Sequence, residues 1–181
     1  MIVDIGTGDG RAVLARASAD PGALVVGIDA NAAGMIESSR RAARPSGRRG
    51  VANAMFLASA AEALPGPLAD VASLVTITMP WGSLLRGVLG QDRVALRGVA
   101  SVVAPGGRVE TLASVVPTDH VGIDVLDRTA AAGIAAAWRS VGFELESIHP
   151  ATTEELRATR SSWARRLGDR RVWRLDLRRC D

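Results

Sequence analysis

The chain predicts an α/β fold: a seven-stranded, doubly wound and mostly parallel sheet with helices on both faces. Three observations predict it. Short apolar runs alternate with helix-like stretches, the pattern of strand–helix–strand units whose parallel strands are covered on both sides. The first run passes straight into Gly6-Thr7-Gly8-Asp9-Gly10 and then a helical pattern. Two further strand-like segments follow the last long helical stretch, which makes seven strands a better reading than six.

Taken in order, Met1 to Ile5 reads as a strand and Gly10 to Ala19 as a helix. Leu24 to Ile28 is the next strand, and the helix after it starts near Asn31, a residue type suited to an N-cap, and runs to Ala43. Arg44-Pro45-Ser46-Gly47-Arg48-Arg49-Gly50 is a loop by composition. Ala54 to Ser59 and Val71 to Met79 are strands, and Leu84 to Val103 is helical with a break near Gly90. Pro105-Gly106-Gly107 turns the chain into a strand from Arg108 to Val115. The alanine-rich stretch from Asp124 to Val141 is helical, and Phe143 to His149 and Val172 to Leu177 are the two late strands.

At 181 residues, with 48% hydrophobic and 23% charged residues, the expectation is one globular domain spanning 1–181. All 22 basic side chains are arginine and the sequence pI is about 10.7, so any anionic partner meets guanidinium forks suited to phosphates and bases. Genome composition also produces arginine-only usage. Cys180 is the single cysteine, so no internal disulfide is possible, and a cytoplasmic location is expected. Apolar runs are broken by Arg, Asp or Pro before membrane-spanning length, and no membrane association is expected. His120 and His149 lack partners at metal-ligand spacing, so no metal is expected.

The glycine turn carries the first chemistry. Gly6, Thr7 and Gly8 follow Asp4-Ile5, where glycines let the backbone approach a ligand closely. A dinucleotide fingerprint would want glycine at position 11, where this chain has Arg11. Asp29 ends the second strand, placed to accept ribose hydroxyls. Asp4, the loop and Asp29 together resemble the cofactor motif of S-adenosyl-L-methionine-dependent methyltransferases. Ala61 and Glu62 follow the third strand, where that superfamily contacts adenine; Glu62 reads equally well as a solvated acid at a helix start.

Two tryptophan motifs narrow the resemblance. Met79-Pro80-Trp81-Gly82-Ser83-Leu84-Leu85-Arg86-Gly87-Val88-Leu89-Gly90 sets a rigid aromatic at the mouth of a strand. Ser162-Trp163-Ala164-Arg165-Arg166-Leu167 adds a second beside paired arginines. With the glycine loop, these segments resemble the aminoglycoside-resistance 16S rRNA methyltransferases of the kanamycin/apramycin class, from Met1 to about Val172. The resemblance implies a Rossmann-like methyltransferase fold and transfer of a methyl group from S-adenosyl-L-methionine to N1 of adenine 1408, within the 30S subunit. It implies Trp81 and Trp163 around the target base, with Ser83 as a weaker transfer. Asp4, Gly6, Thr7, Gly8, Asp29, Ala61, Glu62 and Met79 fall to the cofactor, and Arg166 and Arg171 to RNA. Measured against that family, the chain is expected to lack its N-terminal element, and a monomer is expected.

The residues support an RNA target in their own right. Arg40, Arg41 and Arg44, with Arg48 and Arg49, form one acid-free basic cluster, and Arg165, Arg166 and Arg171 belong to a second; a solvated surface is the competing reading. A base-amino methyltransferase would place an Asn or Asp acceptor where Met79 stands, so a ring nitrogen with its own lone pair is the better target. The alternatives are a tRNA or small-molecule methyltransferase and a non-catalytic RNA-binding module.

Overall fold

The structure of the chain, a computed structural model, describes residues 1–123, 126–159 and 170–180, without the side chains of Ser46 and Arg128. Its strands are β1 (Ile2–Ile5), β2 (Val25–Asp29), β3 (Ala54–Ala58), β4 (Ala72–Thr78), β5 (Val103–Ala113), β6 (Phe143–Pro150) and β7 (Trp173–Arg179). Its helices are α1 (Arg11–Ala19), α2 (Ala32–Ala42), α3 (Gly82–Val88), α4 (Arg93–Val102), α5 (Arg128–Arg139) and α6 (Thr153–Ala158). The strand order is β3-β2-β1-β4-β5-β7-β6.

The expectation of a mostly parallel sheet is corrected: the sheet is mixed. β3, β2, β1, β4 and β5 pair in parallel, whereas β7 runs antiparallel to both β5 and β6. The reason lies in the connection. Ala151 N–H donates to the Val172 carbonyl at 2.8 Å, so the chain re-enters the sheet beside the end at which β6 left it, and a return at the same end runs antiparallel. The alternation Trp-Arg-Leu-Asp-Leu-Arg-Arg, with Leu175 and Leu177 fully buried between half-buried charged residues, is the half-solvated pattern of an antiparallel strand.

Two other expectations shift. β5 begins at Val103, ahead of the Pro-Gly-Gly turn, and the register with β4 jumps between Ala72 and Leu74 to absorb the bulge. The sequence reading left α6 out. It is six residues long, buries no residue completely, and is framed by a capping box in which Glu155 N–H donates to Thr152 Oγ1 and Thr152 N–H to Glu155 Oε2.

The core is uneven across the sheet. On one face Val3, Ile5, Val75, Ile77 and Val109 pack beneath Leu85 and Val88 of α3, Leu96 and Val99 of α4, and Ile134 and Trp138 of α5. On the other, α1 and α2 cover only the β1–β2–β3 side, through Val13, Leu14, Ala17 and Ala42 against Val25, Ala54 and Phe56. Beyond α1 the second face is polar, and a cavity of about 280 Å³ lies over β4, β5 and β7, lined by Asp4, Thr76, Thr78, Glu110, Glu155 and Arg174 among others.

Trp138 anchors the covered face. Its ring is fully buried, donates from Nε1 to the Val88 carbonyl at 2.9 Å, and meets Phe143 edge-on at 5.2 Å between centroids. Trp173 is half-buried against the same cluster. Trp138→Ala is expected to lower unfolding free energy by roughly 3–5 kcal/mol, as large aromatic truncations in packed cores do. Urea denaturation checks this, and a loss under about 1 kcal/mol would mean the α3–α5 layer closes over the gap.

Candidate functional site

The candidate site lies at the ends of β1, β2 and β4, where the strands hand over to loops. Gly6 sits at φ 76° and Gly8 at φ 61°, left-handed conformations that β-carbons disfavour. A β-carbon on Gly6 would also come within 2.7 Å of Leu84 Cδ2, whereas one on Gly8 would meet no protein atom within 4 Å. The Gly6 and Thr7 N–H groups both donate to the Ile28 carbonyl, at 2.8 and 3.1 Å, which tethers the loop to the end of β2.

Asp29 completes the tether. Its Oδ2 accepts the Gly8 N–H at 2.8 Å and its Oδ1 accepts the Asn31 N–H at 2.8 Å. Each oxygen is thereby oriented by one backbone donor and keeps acceptor capacity for a hydroxyl. Across the opening, Ser59 N–H bonds the Asp29 carbonyl at 3.0 Å and leads into the single helical turn Ala61–Ala63, which presents Glu62. That turn is backed by α4 at backbone contact: a β-carbon on Gly98 would overlap the Ala61 carbonyl oxygen.

The third wall follows β4. Met79 adopts φ 53°, a left-handed conformation without glycine's freedom, with its N–H bonded to the Leu112 carbonyl at 2.7 Å. Such backbone costs about 1–3 kcal/mol and persists where the surroundings over-determine it. Here it swings Pro80 into a buried position and Trp81 outward, before Gly82 and Ser83 start α3. The Trp81 side chain is left 82% exposed, the most solvent-facing large hydrophobic residue among those described. Gly6, Asp29, Ala61, Glu62, Met79, Trp81 and Ser83 thus line one cavity of about 210 Å³, together with Ser59, which no sequence motif marks, and Pro80 and Leu84, which belong to the Met79–Gly90 motif but carry no predicted role of their own. Ser59 directly follows β3 and Pro80 comes two residues after β4, strand ends being the signal that marks them, whereas Leu84 lies within α3.

Three of the sequence-predicted cofactor residues, Asp4, Thr7 and Gly8, do not line this cavity, and of these Asp4 faces the other side of the sheet. Strand alternation turns Val3 and Ile5 to the covered face and Asp4 to the opposite one, where it lines the larger cavity. Burial pushes its carboxyl above the usual carboxylate range, against the opposing pull of the Thr76 hydroxyl, which donates to Oδ1 at 2.6 Å. The Thr7 hydroxyl acts in the same lowering direction but closes no hydrogen bond of ordinary geometry.

The basic residues divide. Arg40 and Arg41 occupy the last turn of α2, exposed; Arg44 follows and makes only a solvent-exposed pair with Glu37 at 3.8 Å, of small energetic weight. Arg171 is exposed just before β7. Trp163, Arg165 and Arg166, like Ser161, Ser162 and Asp124, lie outside the described residues. Among the described residues no group of three or more His, Cys, Asp or Glu is placed to hold a metal ion, and no helix is long and apolar enough to cross a membrane.

A glycine loop at a helix start, an oriented carboxylate at the end of β2 and a cavity closed by the segment after β4 define a methyltransferase-type nucleotide pocket on an α/β sheet. Comparison with known proteins names the group. The profile of the family described as NpmA: 16S rRNA (adenine(1408)-N(1))-methyltransferase matches residues 1–177, and the chain belongs to that family. A 16S rRNA (adenine(1408)-N(1))-methyltransferase of Streptoalloteichus hindustanus is 36% identical over 177 residues, covering 94% of this chain and 81% of the relative. A tryptophan-to-alanine variant of the enzyme so named from Catenulisporales acidiphilia, in a crystal structure with cosubstrate SAM, superposes with a TM-score of 0.90 at 31% identity, covering 99% of this chain and 85% of that one. The crystal structure of the 16S rRNA methyltransferase KamB gives a TM-score of 0.88 at 32% identity, with 99% and 87% covered.

The buried Asp4 carboxyl yields a test that needs no ligand. Because its folded pKa lies above the unfolded value, its favourable contribution is present below the unfolded pKa and is lost as pH rises through the folded one. Asp4→Asn keeps an acceptor for Thr76 and removes the charge, so its melting temperature is expected to gain on the parent's as pH is raised from about 4 toward 8. A gap between the two proteins that stays constant across that range would return Asp4 to an ordinary pKa.

Proposed function

We propose that the chain transfers the methyl group of S-adenosyl-L-methionine to N1 of adenine 1408 of 16S rRNA in the 30S subunit, the modification that gives aminoglycoside resistance. The observation that carries this reading is the solvent-facing indole of Trp81 at the rim of the cavity formed by Gly6, Asp29, Glu62 and Met79. A tryptophan exposed to this degree beside a nucleotide-type pocket has no folding role and is placed to receive a flat group from solvent.

The residues present fit the cofactor. Asp29 retains acceptor capacity for ribose hydroxyls, Ala61 and Leu84 offer apolar wall, Glu62 can accept from an amino group, and the open space beside Gly8 admits close approach. When bound, S-adenosyl-L-methionine supplies an electrophilic sulfonium methyl. Adenine N1 carries an in-plane lone pair, so the protein has no nucleophile to create and its task is orientation. Trp81 stacks one face of the extruded base and Trp163 the other, each face contributing about 1–3 kcal/mol against the cost of unstacking. Ser83, in the first turn of α3, lines the same cavity as Trp81 and is assigned to the base slot with it. Arg40, Arg41, Arg44, Arg165, Arg166 and Arg171 neutralise rRNA phosphates. One domain carries all of these parts, as a cytoplasmic monomer without metal.

The reading is tested by incubating 30S subunits with protein and cofactor and extending a primer across the decoding site, since N1 methylation blocks base pairing and halts the polymerase at adenine 1408. No stop above the cofactor-free control would remove the assignment. Trp81→Ala is expected to keep stability within about 0.5 kcal/mol of the parent while slowing methylation roughly ten- to a hundredfold. Methylation at the parent rate would take Trp81 out of the site. Asp29→Ala should weaken cofactor binding at least about tenfold by calorimetry, through lost acceptors and a loosened Gly8. Unchanged affinity with a native circular dichroism spectrum would place the ribose elsewhere.

A further inference from the structure

The Asp29 carboxylate holds the glycine loop at Gly8, and a second contact, from α2, holds it where it passes into α1. The core-facing stripe of α2 is Met35, Ser38 and Ala42, all buried, so a serine stands where a helix of this pattern takes an apolar residue. Ser38 is only 4% exposed. A serine inside a helix ordinarily turns its hydroxyl back onto the preceding turn or out to solvent. This hydroxyl instead leaves the helix and donates to the Asp9 carbonyl at 2.5 Å, across 29 positions of sequence.

The peptide unit it meets is pinned at both ends. The Asp9 carbonyl accepts from Ser38, and the Gly10 N–H of the same planar unit donates to the Thr7 carbonyl at 3.1 Å. The loop is therefore tethered by β2 where it begins, through the Gly6 and Thr7 N–H groups, and by α2 where it ends. α2 also reaches the loop at a second point. A β-carbon on Gly34, one turn before Ser38, would lie 3.1 Å from the Gly8 carbonyl oxygen, and one on Gly10 would lie 2.9 Å from Ser38 Cβ, so helix and loop meet with almost no room for a further carbon.

We propose that Ser38 is a positioning residue for cofactor binding, which from α2 fixes the Asp9–Gly10 peptide and with it the face that the glycine loop turns to the ligand. This rests on the reading of that loop as the cofactor's wall. Ser38 does not line the cavity and acts only through the loop. A loop that lacks this bond has to be ordered when the ligand arrives, and that cost appears as weaker affinity. Once the cofactor is bound the loop is in place, so the chemical step is unchanged.

Ser38→Ala removes the hydroxyl and leaves a residue that helices favour. The expected result is a calorimetric Kd for S-adenosyl-L-methionine raised roughly three- to tenfold, with the cofactor KM for methylation of 30S subunits raised in step. At saturating cofactor, kcat should stay within about twofold of the parent, and the melting temperature within about 3 °C. Gly34→Ala presses on the loop from the neighbouring contact while favouring the helix, so it should weaken cofactor binding with no fall in melting temperature. Parent affinity in Ser38→Ala would overturn the proposal. So would a fall in kcat and melting temperature alongside the affinity, because Ser38 would then be a brace of the whole fold. The two readings fail differently: a parent protein that binds no S-adenosyl-L-methionine removes the cofactor assignment and the proposal with it, whereas equal binding by the parent and Ser38→Ala removes the role of Ser38 alone.

Discussion

The two backbone N–H groups held by the Asp29 carboxylate, from Gly8 and from Asn31, are the contacts on which the ligand-facing end of the molecule depends. One carboxylate fixes both the turn after β1 and the entry to α2, and its own carbonyl holds the start of the next wall through Ser59. The glycine loop supplies permissive backbone but nothing that selects one conformation, because left-handed glycine is only one of several accessible states. The carboxylate selects it. A single acid thus shapes the pocket before any ligand arrives.

The sheet presents two chemically different faces, and the division of labour follows from that. The face under α3, α4 and α5 is apolar and closed by Trp138, and it carries the bulk of the hydrophobic burial. The other face, beyond α1, is built from Asp4, Thr76, Thr78, Glu110 and Arg174, and is organised by hydrogen bonds and ion pairs. Polar contacts are directional where apolar packing is not, so they set the position of α6 without adding much to stability.

Much of this was legible in the sequence, and the parts that were not share a cause. The seven strands, the loop at Gly6 to Gly10 and the position of Asp29 at the end of β2 follow from local periodicity and turn chemistry. Local pattern does not report direction of re-entry, so the antiparallel course of β7 was missed although its alternation of leucine with charge was visible. α6 was missed because its six residues lack an apolar stripe, and only the Thr152–Glu155 cap marks it. Asp4 was grouped with Asp29 on sequence proximity to the loop, whereas strand alternation sends its side chain to the other face. The backbone at Met79, which aims Trp81 outward, has no local signature because tertiary contacts impose it.

The contact between Gly98 and Ala61 places control over the pocket in a residue that does not line it. Any side chain at position 98 pushes the Ala61–Ala63 turn, and with it Glu62, toward the cavity from behind. A helix on the covered face therefore helps to set the dimensions of the cavity. Substitutions at position 98 would reshape the cavity as directly as substitutions of the residues that line it.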